Sequence, residues 1–404
     1  MSGARVSPFP PLAARGAVSA ATVRTLRPVD LDRGVRSAAL DGPALRVDLD
    51  AVAANVRAIS GRTGAAVMAV VKADAFGHGM IPVARTAVAA GASWLGVTEV
   101  AEARELRAAG LAVPILSWLH PSGIDVEGAI RGRIDVAVAS PDEIDVVAAE
   151  AEAIGRPLRV HLQVDTGMAR GGAAERDWLA LMRAAADASA RGAVRVIGTM
   201  GHLPDADRAD PERNRDGSAR LDRAERLAAE AGIRRGVSHL AATAATLTDP
   251  ATHRDLVRIG AGLVGIDPSG TVALRGASRF TAPVVHSVRA AAGTAVGYGG
   301  THVTEGTTNL AVLGVGYADG VPRGLAPEAS VAIAGERFRI VGRVSMDQIV
   351  VDTRDRRFPR GTTATLWGAA GTSAPRIGDW AQWAGTIPHE IVTGVGPRVR
   401  KEIA

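Results

Sequence analysis

Cysteine is absent from the 404 residues, which excludes a disulfide framework, a thiol nucleophile and any cysteine-bearing zinc site. Aromatic side chains make up only 3% of the chain, and two tyrosines, Tyr298 and Tyr317, are all it has of that type. No apolar run approaches the length needed to span a membrane. The net charge of +5 comes from arginine spread along the chain, and no basic run carries the interleaved aromatics of a nucleic-acid face. A soluble cytoplasmic protein with neither nucleic acid nor membrane as partner is the simplest expectation. The scarcest informative residue is lysine: of 47 lysines and arginines, all but Lys72 and Lys401 are arginine.

Lys401, near the end of the chain, reads as a solvated tail residue. Lys72 closes the run Ala65 to Val71, "AAVMAVV", which has the length, β-branching and lack of alternation of a strand buried on both faces. Arginine stays charged, whereas a lysine at the end of a buried strand can lose its proton and bond to a carbonyl carbon. The bland alternative is a lysine whose stem merely snorkels from the strand end.

The chain is long enough for one large domain and a smaller one, and 47% of it is apolar. Residues 1–42 are rich in Arg, Ala, Pro and Ser, and read as a disordered extension. Asp30, Asp32 and the lack of an apolar stretch argue against a targeting peptide. From residue 44, apolar runs alternate with amphipathic stretches. Eight strands are expected, at 65–72, 94–98, 114–118, 134–139, 158–165, 194–201, 237–241 and 256–266. Between them lie helical patterns such as "SPDEIDVVAAEAEAIG", with Ser140 as N-cap, Glu143 three residues on and Gly155 as the stop. Eight strands with intervening helices fit a (β/α)8 barrel of the TIM type, over residues 43–275. From 276 to 404 short β-type runs broken by Gly and Pro indicate an all-β domain. The early "ALRVDL" at 44–49 suits either a barrel strand or an edge strand of that domain.

In such a barrel, functional groups collect at the C-terminal ends of the strands. Lys72 ends the first, Asp165 and Arg170 follow the fifth, His202 the sixth and Thr243 the seventh, while Arg258 and Gly260 lie in the eighth. Tyr298 in "AVGYGGTH" and Tyr317 in "GVGYADGVPR" are both bracketed by glycines, as phenols held where backbone passes closely would be; packing near turns is the plain alternative.

These segments, with "GTMGHLPDAD", "HLAATAATL", "LVRIGAGLVGIDPS", "VGRVSMDQIVVD" and "WAGTIPHEIVTGVGPRV", resemble the alanine racemases over residues 44 to 400. The resemblance implies a pyridoxal 5'-phosphate enzyme acting on a small amino acid, with a head-to-tail homodimer and composite sites. Lys72 then matches the residue that holds the cofactor covalently and serves as base on one face of the substrate. Tyr298, lent by the partner subunit, matches the base on the other face. Arg258 matches the arginine facing the pyridine nitrogen, which it leaves neutral, so that transamination and elimination are discouraged. Arg170 and the backbone at Met346 match the substrate-carboxylate contacts. His202, Thr243, Gly260, Tyr317 and His389 fall among the cofactor-binding positions. Gly260, Gly262 and Gly265 also spell G-x-G-x-x-G, which is taken as a decoy on the expectation that the glycines lie inside the strand.

Four positions depart from the family pattern, and one of them, Thr243 in place of a serine, keeps the phosphate-binding hydroxyl. Phe76 and His389 replace phosphate-binding tyrosines, which removes two phenol hydrogen bonds. Gln163 replaces a lysine that many members carbamylate beside the carboxylate-binding arginine. Related barrel decarboxylases use cysteine, and related dehydratases a cysteine-bearing metal site, so the composition argues against both. A non-catalytic cofactor binder, or a racemase for another amino acid, remains the alternative, and Tyr298 weighs against the former.

Overall fold

The computed structural model describes residues 41–207 and 211–404. The expected N-terminal extension therefore lies outside the described residues except for Asp41 and Gly42. The first strand, β1 (Ala44–Val47), is followed by eight parallel strands that close into a barrel: β2 (Ala66–Val70), β3 (Trp94–Val97), β4 (Ile115–Ser117), β5 (Ile134–Val138), β6 (Leu158–Gln163), β7 (Val194–Met200), β8 (Val237–Ala242) and β9 (Leu256–Ile259). Each coincides with one of the eight expected apolar runs, because a barrel strand is buried by helices outside and side chains inside and so cannot alternate. Met68, Val70, Leu116, Ala137, Met200 and Leu256 fill the interior, and the larger cluster lies between strands and helices.

Helix Pro141–Ile154 forms as its caps dictate. Ser140 Oγ accepts from the Glu143 amide at 3.1 Å, and Gly155 ends the helix with φ +74°. The Glu143 carboxylate reaches back one residue further than a capping box requires and accepts from the Ala139 amide at 2.6 Å.

The ambiguous segment at 44–49 belongs to the C-terminal sheet. β1 pairs antiparallel with β10 (Ser278–Ala290) and parallel with the last strand, Arg400–Ile403, with Leu45 opposite Lys401. The sheet continues from β10 through Thr363–Trp367, Ser330–Ile333, Glu336–Val341, Ile349–Arg354 and Thr308–Leu313. Thr308–Leu313 pairs again with β10, so the sheet curls onto itself around Phe280, Phe338, Trp367 and Trp380. The first and last strands of the described residues thus lie side by side, and helix Pro388–Thr393 packs against the segment after Lys72.

Two expectations need correction. The eighth barrel strand stops at Ile259, and Ala261–Val264 is a 3-10 turn, so Gly260 and its fellow glycines lie beyond the strand. Lys401 pairs with the Asp74 carboxylate.

Candidate active site

Lys72 stands where β2 gives way to a turn of unusual hand. Ala73, Asp74, Ala75 and Phe76 all have φ between +51° and +56°, a left-handed turn made without glycine. At about 1 to 2 kcal/mol per L-residue such a turn must be held from outside. Glu102 holds its start: one carboxylate oxygen accepts from the Ala73 amide at 2.8 Å and the other from the Thr98 amide at 2.7 Å. Asp74 accepts from the Met80 amide at 2.7 Å and binds Lys401. His78 closes the end, its Nδ1–H donating to the carbonyls of Phe76 at 2.8 Å and Ala75 at 3.1 Å. Burial, and then the charge of Arg170, pull the Lys72 ammonium below the usual lysine value, and Glu102 opposes them.

Arg170 rides on the loop after β6. The Asp165 carboxylate shapes that loop by accepting from the amides of Gly167 and Met168, both at 2.9 Å, and of Ala169 at 3.1 Å. Among the described residues Arg170 meets no carboxylate, and Gln163 makes no side-chain hydrogen bond to it. Its guanidinium is left to an incoming anion.

Arg258 lies deeper, buried in the barrel mouth. Nη2 donates to the carbonyls of Gly201 at 2.7 Å and Leu240 at 3.1 Å and to His202 Nδ1 at 3.1 Å; Nη1 donates to the carbonyl and Nδ1 of His239, both at 3.1 Å. Burial brings its pKa down to about 10, so it stays charged at neutral pH. His202, lowered to about 3 by burial and by Arg258, Arg170 and Lys72, stays neutral and accepts.

Thr243 is buried, and its Oγ accepts from the Gly262 amide at 3.2 Å. A Cβ on Gly260 would lie 2.9 Å from Phe76 Cζ, so that glycine makes room for the Phe76 ring. Phe76 in turn stands 5.9 Å, centroid to centroid, from His389. The buried Nδ1 of His389 has no partner, and burial followed by the Lys72 charge lowers its pKa.

The barrel thus brings together Lys72, Arg170, His202, Arg258 and, from the β domain, His389. It does not bring Tyr298, Tyr317 or Met346 to them. These three stand exposed on the β domain, Tyr298 with 71% of its surface open. Tyr317 and Met346 lie close together, since the amides of Tyr317 and Ala318 donate to the carbonyls of Ser345 and Met346 at 3.0 Å. One chain therefore carries two separate sets of the residues picked out from its sequence. Glu102, His78 and His239 are functional neighbours that the sequence does not single out. Glu102 and His78 gave no signal beyond their neighbourhood, whereas His239 is a polar residue inside an apolar strand, which is itself a signal.

Family models for the alanine racemase N-terminal and C-terminal domains match residues 47–268 and 277–403. An alanine racemase of Frankia casuarinae is 43% identical over 360 residues, 87% of this chain and 94% of that protein. The crystal structure of alanine racemase from the D-cycloserine producer Streptomyces lavendulae superposes with a TM-score of 0.87 at 40% identity, covering 90% of this chain and 97% of that one. The Bartonella henselae alanine racemase, solved with covalently bound pyridoxal phosphate, superposes at 0.80 with 26% identity, covering 90% of this chain and all of that one.

Proposed function

The chain belongs to the alanine racemase family, and on that premise we propose that its active unit is a head-to-tail homodimer in which Lys72 of one protomer and Tyr298 of the partner subunit face opposite sides of the substrate α-carbon. The protein is an amino-acid racemase that interconverts L- and D-alanine with pyridoxal 5'-phosphate. In this reading residues 43–275 bind the cofactor, residues 276–404 lend groups to a second copy, and the enzyme works in the cytoplasm.

The observation that carries the reading is the charge of the barrel mouth. Lys72, Arg170 and Arg258 form a basic set beside His202 and His389, and among the described residues Glu102 is the carboxylate that acts on Lys72. Such a set fits a phosphorylated aldehyde: an amine for the carbonyl carbon, an unpaired buried Nδ1 on His389, and the Thr243 hydroxyl with the amides beside Gly260 for an anion. When bound, pyridoxal phosphate supplies an electron-withdrawing ring that acidifies the substrate's α-hydrogen.

The chain's own groups do the rest. Arg170 takes the substrate carboxylate, with the backbone at Met346 of the partner subunit. Lys72, whose proton affinity burial and the Arg170 charge lower, is the group placed to accept the α-proton at Nζ. The Tyr298 hydroxyl of the partner subunit donates from, or accepts on, the far side. Arg258 keeps its Nη groups committed as donors and keeps His202 an acceptor. Tyr317 of the partner subunit and this protomer's own His389 complete the set on the cofactor side.

Proton NMR in deuterated water tests this. The cofactor-loaded protein should exchange the α-proton of both enantiomers of alanine with inversion. Tyr298→Phe should go on exchanging one enantiomer without inverting it while losing exchange from the other; equal losses from both would count against two bases.

A further inference from the structure

Arg258 is a buried cation, and among the described residues no carboxylate touches it. Its charge is met by a line of side chains that runs across the barrel interior. Arg258 Nη1 reaches His239 Nδ1 at 3.1 Å, His239 Nε2 lies 2.9 Å from His161 Nδ1, and His161 Nε2 lies 3.3 Å from Asp135 Oδ2. Arg159 closes the far end with two bonds to Asp135, Nε to Oδ1 at 2.5 Å and Nη2 to Oδ2 at 3.0 Å. Asp135, His161 and His239 are each 1% exposed or less.

The strands place these groups. Asp135 stands on β5, His161 on β6, His239 on β8 and Arg258 on β9, so the line has to pass β7. It passes at Gly198, where a Cβ would lie 3.0 Å from His161 Nδ1. Trp94 sets its ring edge-on to His161 at 5.7 Å and shields it. Asp135 is ionised: burial opposes its charge, and the hydrogen bonds from His161 and Arg159 outweigh burial.

The two ends determine every proton between them. A guanidinium only donates and an ionised carboxylate only accepts. His161 must then carry its hydrogen on Nε2, leaving Nδ1 to accept from His239 Nε2–H. That in turn leaves His239 Nδ1 to accept from Arg258. A reversed line would set His239 Nδ1–H against Arg258 Nη1–H, donor against donor.

We propose that Asp135 and His161 are positioning residues for the racemase site, acting through His239 to hold Arg258 in its donor geometry at the cofactor. The inference rests on the reading of Arg258 as the cofactor-facing arginine. The carboxylate fixes the direction of the line and balances the guanidinium from across the barrel, while the histidines carry that influence without opening a water path. A structural role alone would make the pair interchangeable with any well-packed residues.

The experiment uses the enzyme loaded with pyridoxal phosphate and reads two quantities besides turnover: the pH midpoint of the cofactor's absorption band, and the downfield proton resonances of the two buried ring N–H groups. Asp135→Asn and His161→Leu should move the midpoint, remove or displace the resonances, and lower kcat about tenfold with KM little changed. His161→Gln, whose amide can donate to Asp135 and accept from His239, should restore the midpoint. Arg258→Gln serves as the reference for the reading on which the inference rests. If Arg258→Gln moves the midpoint and neither Asp135→Asn nor His161→Leu does, the proposal is overturned while that reading stands. If Arg258→Gln moves nothing, that reading falls and the proposal with it. Should Asp135→Asn not fold, the contrast between His161→Leu and His161→Gln decides alone.

Discussion

Scarcity made single residues legible. A lysine kept among arginines and two tyrosines in a chain of 404 stand out before any motif is consulted, and the structure gives Lys72 a burial and a charge environment that lower its proton affinity. The histidines escaped that logic because the chain has nine of them, and their roles depend on neighbours far away in sequence. His161 and His239 meet across 78 positions. Their burial has a consequence for acid stability. His78 is lowered to about 4 by burial, against its bonds to Phe76 and Ala75, and His202 to about 3. A histidine held neutral in the fold contributes its full share above the unfolded value near 6.5 and loses it as pH falls toward the folded value. For His78 the loss amounts to about 3 kcal/mol across that window. Thermal melting between pH 7 and 4 should therefore show the midpoint falling well before the carboxylates titrate. His78→Asn should flatten the part of that fall above pH 4, at a cost in stability at pH 7; a slope unchanged by the substitution would assign the effect elsewhere.

At the scale of elements, what two-sided burial determines was readable and what tertiary contact determines was not. The eight barrel strands announce themselves because each is apolar throughout, and helix Pro141–Ile154 because its caps are local. β1 could not be assigned, since its partners β10 and Arg400–Ile403 lie more than 200 residues away. The end of the eighth strand has no mark in the sequence, because "GAGLVGI" continues the apolar run while its backbone turns. The left-handed turn at 73–76 has neither glycine nor asparagine to signal it, and it exists because Glu102, Asp74, His78 and Lys401 hold it. Ala73 is exposed within it, so its side chain has little packing to lose. Replacing Ala73 by glycine relieves about 1 kcal/mol of left-handed strain and adds a similar entropic cost, leaving stability level or slightly higher. Ala73→Val adds a β-branched clash and should destabilise by about 1 to 3 kcal/mol. Denaturant melts of the pair check the sign, and equal stability of the glycine and valine variants would mean that the turn stores no strain in this chain.

At the scale of the whole molecule the two sets of site residues demand an explanation, because one is sunk in the barrel mouth and the other is spread on the surface of the β domain. Exposed Tyr298, Met346 and Tyr317 make sense as groups offered to a second copy, and a two-fold pair would place each set against the other twice. That arrangement can be tested without a structure of the pair. Take two inactive variants, Lys72→Ala and Tyr298→Phe, and let their subunits exchange. In a mixed dimer one site combines both lesions, while the other combines the intact Lys72 of one protomer with the intact Tyr298 of its partner. Random pairing of equal amounts makes half of the dimers mixed, each with one of two sites restored, so about one quarter of the wild-type rate should return. If Lys72 and Tyr298 served the same site from the same chain, every mixed dimer would still carry one lesion per site and mixing would restore nothing. The yield on mixing therefore reads directly whether the tyrosine that is so exposed in one chain completes the lysine site of the next.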